Sequence, residues 1–213
     1  MKRQLLLSLL LLVNAPLLQA QVSSQTERLA APASLDQREK IVIKHGSAQT
    51  YLNRGLVRSA AGNWDAAISD FNKVIDIEPR NAAAYYNRGN VRQALGERDE
   101  AIADYDEAIR INPRLAEAYN NRGVARQAKG DTAGAVADYD KAIESDPQNA
   151  RAYANRGLTR LFLGQETDAA KDFEQCLTLD NKLAQSLAKR IKELKLRLAS
   201  GTDINSNAGP KEL

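Results

Sequence analysis

Four times the chain brings an amide, a guanidinium and a glycine together as Asn-Arg-Gly: Asn53-Arg54-Gly55, Asn87-Arg88-Gly89, Asn121-Arg122-Gly123 and Asn155-Arg156-Gly157. A second arginine follows four residues after each first one, at Arg58, Arg92, Arg126 and Arg160. An aspartate recurs with the same regularity, at Asp70, Asp104, Asp138 and Asp172. These groups suit recognition. A guanidinium fork takes carboxylate or phosphate oxygens in pairs, and a carboxamide donates and accepts at once, as a peptide backbone does. Bond-making chemistry has little support. His45 is the only histidine, Cys176 the only cysteine, and the acidic residues recur along the chain without an isolated cluster. We expect no catalytic residue, no metal site and no cofactor; His45 reads as a loop or helix-end residue.

The interval between copies is always 34 residues, which marks one supersecondary unit repeated. The units run over 48–81, 82–115, 116–149 and 150–183, and each reads as two helices. In the second, Ala83 to Leu95 is one amphipathic stretch, Gly96 ends it, and Asp99 to Ile111 is the next. Gly62, Gly96, Gly130 and Gly164 occupy equivalent places, where a left-handed residue closes a helix. Asn112-Pro113 stops the second helix, because the residue before proline avoids the helical region. Ser47, Asn81 and Asn149 are placed as N-caps, and Leu115 breaks that pattern. Gly55, Gly89, Gly123 and Gly157 fall mid-helix, where glycine costs up to about 1 kcal/mol relative to alanine. Four such copies predict a close helix crossing, with Ala67, Ala101, Ala135 and Ala169 as the facing positions. Larger core residues recur as Tyr51, Tyr85, Tyr119 and Tyr153, then as Phe71, Tyr105, Tyr139 and Phe173.

This layout resembles the tetratricopeptide repeat family, with Gly89, Ala101, Tyr105 and Pro113 at the family's landmarks in the second copy. All four copies keep the glycine, alanine and aromatic; Asn181 stands where the last proline is expected. The resemblance implies an all-α fold, a right-handed α-solenoid of four helix-turn-helix repeats. It also implies that the first helix of each repeat lines a concave groove. It places Cys176 where the family has alanine, a small core position. Asn181 in place of proline predicts little break between the last repeat and the helix after it.

The chain departs from the family at both arginines of each repeat, where leucine and tyrosine are favoured. Each pair is four apart and shares one helix face. An arginine near a core needs a carboxylate. We therefore expect ion pairs Arg54–Asp70, Arg88–Asp104, Arg122–Asp138 and Arg156–Asp172, the second arginine sharing that aspartate or reaching a neighbouring repeat. An arginine ladder that binds ligand anions is the rival, and the matching aspartates argue against it. Mapped by position, the groove would expose Asn53, Tyr86, Asn87, Asn90, Asn120, Asn121 and Asn155, with an apolar end at Leu158, Leu161 and Phe162. The ladder of Asn53, Asn87, Asn121 and Asn155 has two readings, a grip on an extended peptide or bonds within the protein. The family's lysine-containing clamp for a terminal carboxylate is not matched at Tyr86.

The flanks carry the remaining signals. Lys2 and Arg3, a leucine-rich run from Leu5 to Val13 and Leu18-Gln19-Ala20 read as a signal peptide over residues 1–20. The run is shorter than the roughly 20 residues that span a bilayer, so no integral span is expected after cleavage; retention as an anchor is the alternative. Removing Lys2 and Arg3 from the net charge of +3 leaves 28 basic against 27 acidic residues, which gives no basis for binding nucleic acid. A single cysteine excludes an internal disulfide, and no Asn-x-Ser/Thr acceptor occurs, so a periplasmic location is expected. Residues 21–47 read as a linker with a short helix, 184–199 as a capping helix and 200–213 as a disordered tail. Leu187, Ile191, Leu194 and Leu198 form the capping stripe. The function expected is a non-enzymatic adaptor that binds a protein or peptide, with a structural, self-associating module as the alternative.

Overall fold

A computed structural model describes residues 47–200. The signal segment, nearly all of the linker, His45 and the tail beyond Ser200 lie outside the described residues. Those residues are helical and contain no strand. They fall into two compact units that divide between Ile111 and Asn112.

In the first unit, α1 (Ala48–Ala60) pairs with α2 (Trp64–Ile77), and α3 (Ala82–Leu95) pairs with α4 (Arg98–Ile111). In the second, α5 (Ala116–Ala128) pairs with α6 (Thr132–Ser145) and α7 (Ala150–Phe162) with α8 (Glu166–Leu179). A 3-10 turn at Asn181–Leu183 then leads into α9 (Ala184–Ala199), which packs on α7. Within each unit the two first helices, α1 with α3 and α5 with α7, also touch.

Local chemistry sets the boundaries. The side chains of Ser47, Asn81, Asp131 and Asn149 each accept from the amide three residues on and cap α1, α3, α6 and α7. Leu115 offers no such bond to α5. Helices α2, α4 and α6 end one residue before Glu78-Pro79, Asn112-Pro113 and Asp146-Pro147. Gly96 takes φ 82° in closing α3, a conformation that a side chain would strain. The exit from α8 does break, although no proline is present. Asp180 is extended, at φ −146° and ψ 94°, and its carboxylate accepts from the Lys182 amide. An aspartate can turn the chain with its own side chain, a local bond that competes with the helix.

Each repeat closes on one aromatic ring. Phe71, Tyr105 and Tyr139 are fully buried and Phe173 is half-buried. A β-carbon added to Gly55, Gly89, Gly123 or Gly157 would lie 2.6–2.8 Å from Cε1 of the ring in its repeat. The partner of each mid-helix glycine is therefore the aromatic rather than the alanine one turn earlier. Helical side chains lean toward the N-terminus, so the ring of Phe71 covers the turn that carries Ala67. The alanines remain buried beneath it. In the second unit the stripe of α9 joins this core: Leu187 and Leu194 pack with Ala150, Ala154, Leu158, Leu161 and Cys176.

Gly89→Ala is predicted to lower the denaturation midpoint. Overpacking costs about 1–3 kcal/mol, against which alanine returns at most about 1 kcal/mol of helix propensity. Urea unfolding measures it; a variant as stable as the parent would contradict the glycine–ring contact.

Candidate functional site

The repeated arginines are committed to the interior. In the first repeat Arg54 donates from Nε to Asp70 Oδ2 at 2.9 Å and from Nη2 to Oδ1 at 2.5 Å. Arg58 donates from Nη1 to Oδ2 of the same aspartate at 2.9 Å. The pattern recurs for Arg88 and Arg92 on Asp104, Arg122 and Arg126 on Asp138, and Arg156 and Arg160 on Asp172, with each arginine's shortest bond to its aspartate at 2.6–2.9 Å. The four aspartate side chains are at most 3% exposed. Each first arginine also stacks over the tyrosine three residues before it, its Cζ 5.2–5.5 Å from the ring centroids of Tyr51, Tyr85, Tyr119 and Tyr153. Two of them reach back to the previous repeat of their unit: Arg88 Nη1 to Asn72 Oδ1 and Arg156 Nη1 to Asp140 Oδ1. These contacts hold helices together, and both carboxylate oxygens of every aspartate are occupied.

The groove asparagines differ in where they lie. Asn53 is exposed; its Oδ1 accepts from Gln49 Nε2 at 2.8 Å. Asn87 is buried and donates to the Ala83 carbonyl of its own helix at 2.7 Å. Tyr86 is also buried, its ring 6.2 Å from that of Tyr105, and the Tyr105 hydroxyl lies within hydrogen-bonding distance of both Asn90 Oδ1 and Gln93 Oε1. Asn90 is half-buried.

In the second unit the amides form a relay. Asn155 Nδ2 donates to Asn120 Oδ1 at 3.0 Å, and Asn120 Nδ2 donates to Asn121 Oδ1 at 3.1 Å. All three are buried. At the head of the relay stands Arg190 of α9, whose Nη2 points to Asn155 Oδ1 at 3.5 Å. Phe162 is half-buried against the core shared by α7 and α9, and Leu158 and Leu161 lie inside it. The apolar end expected for a groove is thus covered by the stripe of α9.

Arg190 stands among basic residues of α9, yet it follows Leu187 by three residues and precedes Leu194 by four, so it shares the apolar side. Burial depresses its pKa. Cys176 lies fully buried, and burial pushes its thiol up to about 11, which removes the thiolate that a nucleophile needs. Among the described residues no cluster of histidine, cysteine or carboxylates is arranged to hold a metal. No described helix is long and apolar enough to cross a membrane.

Three comparisons bear on this arrangement. Family models described as tetratricopeptide repeats match residues 82–115 and 150–183, and another, described as TPR repeat, matches 55–96 and 127–164. No curated protein matches the chain. Among solved structures, a crystal structure of MamA is 27% identical, with a TM-score of 0.62 over 71% of this chain and 89% of that one. MamA 41-end from Desulfovibrio magneticus RS-1 gives a TM-score of 0.63 at 18% identity, over 79% and 96% of the two chains, a likeness of fold alone. The first TPR domain of Spaghetti, bound to the HSP90 peptide SRMEEVD, is 27% identical, with a TM-score of 0.54 over 55% of this chain and 94% of that one.

The ion clusters set an order of severity. Asp104→Ala strands two arginines and is predicted to cost most; breaking a buried pair typically costs about 3–5 kcal/mol. Arg88→Leu follows, since it loses the fork and the bond to Asn72, and Arg92→Leu, which loses one carboxylate bond, costs least. Melting temperatures check the order; equal values for all three variants would contradict the geometry.

Proposed function

Because the chain is built from tetratricopeptide repeats, we propose that it is a non-enzymatic adaptor of the cell envelope that binds a protein or extended peptide on the first helices of its repeats. Members of this family mediate contacts between proteins, and one structural neighbour holds a heptapeptide. The observation that carries the reading is the face of α1 and α3. There Asn53 is exposed, and its Nδ2 makes no bond among the described residues. Leu52 and Leu56, its neighbours on α1, are half-buried, as is Asn90 on α3. An amide flanked by apolar side chains is suited to a peptide: the amide meets the backbone, and the apolar groups meet alternate side chains. The buried amides of the second unit already bond each other, so the first unit is the better candidate for a peptide backbone.

The envelope assignment rests on residues 1–20, whose charged start, leucine run and small residue at Ala20 fit export. Fused to a phosphatase that is active only outside the cytoplasm, residues 1–30 are predicted to give activity, and Lys2→Glu/Arg3→Glu to reduce it. An inactive fusion would remove the location from the proposal.

Asn53→Ala/Asn90→Ala is predicted to lose partners that the parent chain captures by crosslinking in envelope extracts, with the far-ultraviolet dichroism unchanged. Capture of the same partners in equal amounts would overturn the assignment of this face.

A further inference from the structure

The eight arginines of the repeat clusters each reach a buried aspartate, and Arg190 reaches none. Among the described residues no carboxylate lies within ion-pairing distance of its guanidinium. Its Nε is buried and meets no acceptor, and the bond from Nη2 to Asn155 Oδ1 is long, at 3.5 Å. Glu193, three residues on along the same helix, acts on it through charge only. The remaining neighbours are the Tyr139 phenol and the Cys176 thiol, and burial raises the pKa of both, so both are neutral near pH 7. A buried cation without a counterion is destabilising, and an apolar residue here would complete the stripe of Leu187, Ile191, Leu194 and Leu198. The position keeps a charge that no described carboxylate neutralises.

The edge left without a carboxylate is informative. Each first arginine of a repeat presents Nε and Nη2 together to the two oxygens of its aspartate, as Arg156 does to Asp172 at 3.0 and 2.6 Å. Arg190 holds the same Nε–Nη2 edge without a carboxylate in it. The residue is half-buried while its Nε is buried, so the part of the guanidinium open to solvent is its Nη end. Asn155 stands beside it, backed by Asn120 and Asn121, and Arg151 adds positive charge one turn earlier on the same face of α7.

We propose that Arg190 is a carboxylate-binding point, where an aspartate, glutamate or terminal carboxylate of an acidic peptide partner docks bidentately on the Nη end of the guanidinium. The planar fork matches a planar carboxylate. This specifies the partner chemistry of the adaptor reading and rests on it, but its site is in the second unit, apart from Asn53 and Asn90.

The test uses the exported chain without residues 1–20 and, as probe, the tetrapeptide acetyl-Glu-Asp-Glu-Glu-amide, with its Gln/Asn counterpart and inorganic phosphate as controls. The Arg190 Nη–H resonances, assigned by their loss in Arg190→Lys, are predicted to shift with the acidic peptide and to stay in place with the amide peptide. Arg190→Gln is predicted to weaken the acidic peptide at least tenfold while the melting temperature of the free protein stays equal or rises. Should Arg190→Gln not fold, Arg190→Lys, which keeps the charge and lacks the fork, is predicted to fold and to bind more weakly. Equal binding by the parent and these variants, a shift with phosphate alone, or no shift at all would overturn the proposal. Partner capture that depends on Asn53 and Asn90 and is blind to Arg190→Gln would overturn it too, and leave the adaptor reading standing. An Arg190 shift without any partner capture would do the reverse.

Discussion

One aspartate holding two arginines is the interaction on which each repeat depends. The carboxylate sits on the second helix, directly before the aromatic that meets the mid-helix glycine, as Asp104 precedes Tyr105. The arginines sit on the first helix, one on each side of that glycine's turn. Charge pairing and close packing thus act at the same crossing and fix the same register. A slip of either helix would break the fork and drive the ring into the opposing backbone. Isolated surface pairs are worth little, but here the carboxylates are at most 3% exposed and the guanidinium of each first arginine lies over a tyrosine ring.

This constraint narrows where function can reside. Eight arginines that look like a ladder for anions are already saturated by the chain's own aspartates. The asparagine ladder divides. Asn87 turns inward to a carbonyl of its own helix, Asn121 and Asn155 turn inward to Asn120, and Asn53 faces out. What remains for the proposed partner is the face of α1 and α3 in the first unit and, in the second, a cation that no described carboxylate pairs. Both suit recognition of a chain segment, and neither brings together the groups that bond-making would need.

Much of this was legible from sequence because repeats are local. Caps, glycine closures and proline stops each act within a few residues, so a fixed period exposes them four times over. The arginine–aspartate pairs were legible for the same reason: charge at a core position calls for a partner, and only one acid kept the period. What escaped depended on direction and docking. The glycine's partner was read as alanine because spacing alone ignores the backward lean of helical side chains. The break at Asp180 escaped because proline was taken as its only cause. Arg190 and the amide relay have no period, since α9 occurs once, and their burial follows from how its stripe settles on α7.

The central claim is that the Arg-Asp clusters serve the fold by direct coupling across each helix pair. A double-mutant cycle between Arg88 and Asp104, both replaced by leucine and followed by urea unfolding, measures that coupling. Contacting residues in one network show interaction energies of about 0.5–3 kcal/mol. The account predicts a value in the upper half of that range, with the double variant more stable than the two single losses would sum to give. Strictly additive losses would show that the arginine and the aspartate act independently, and would contradict it.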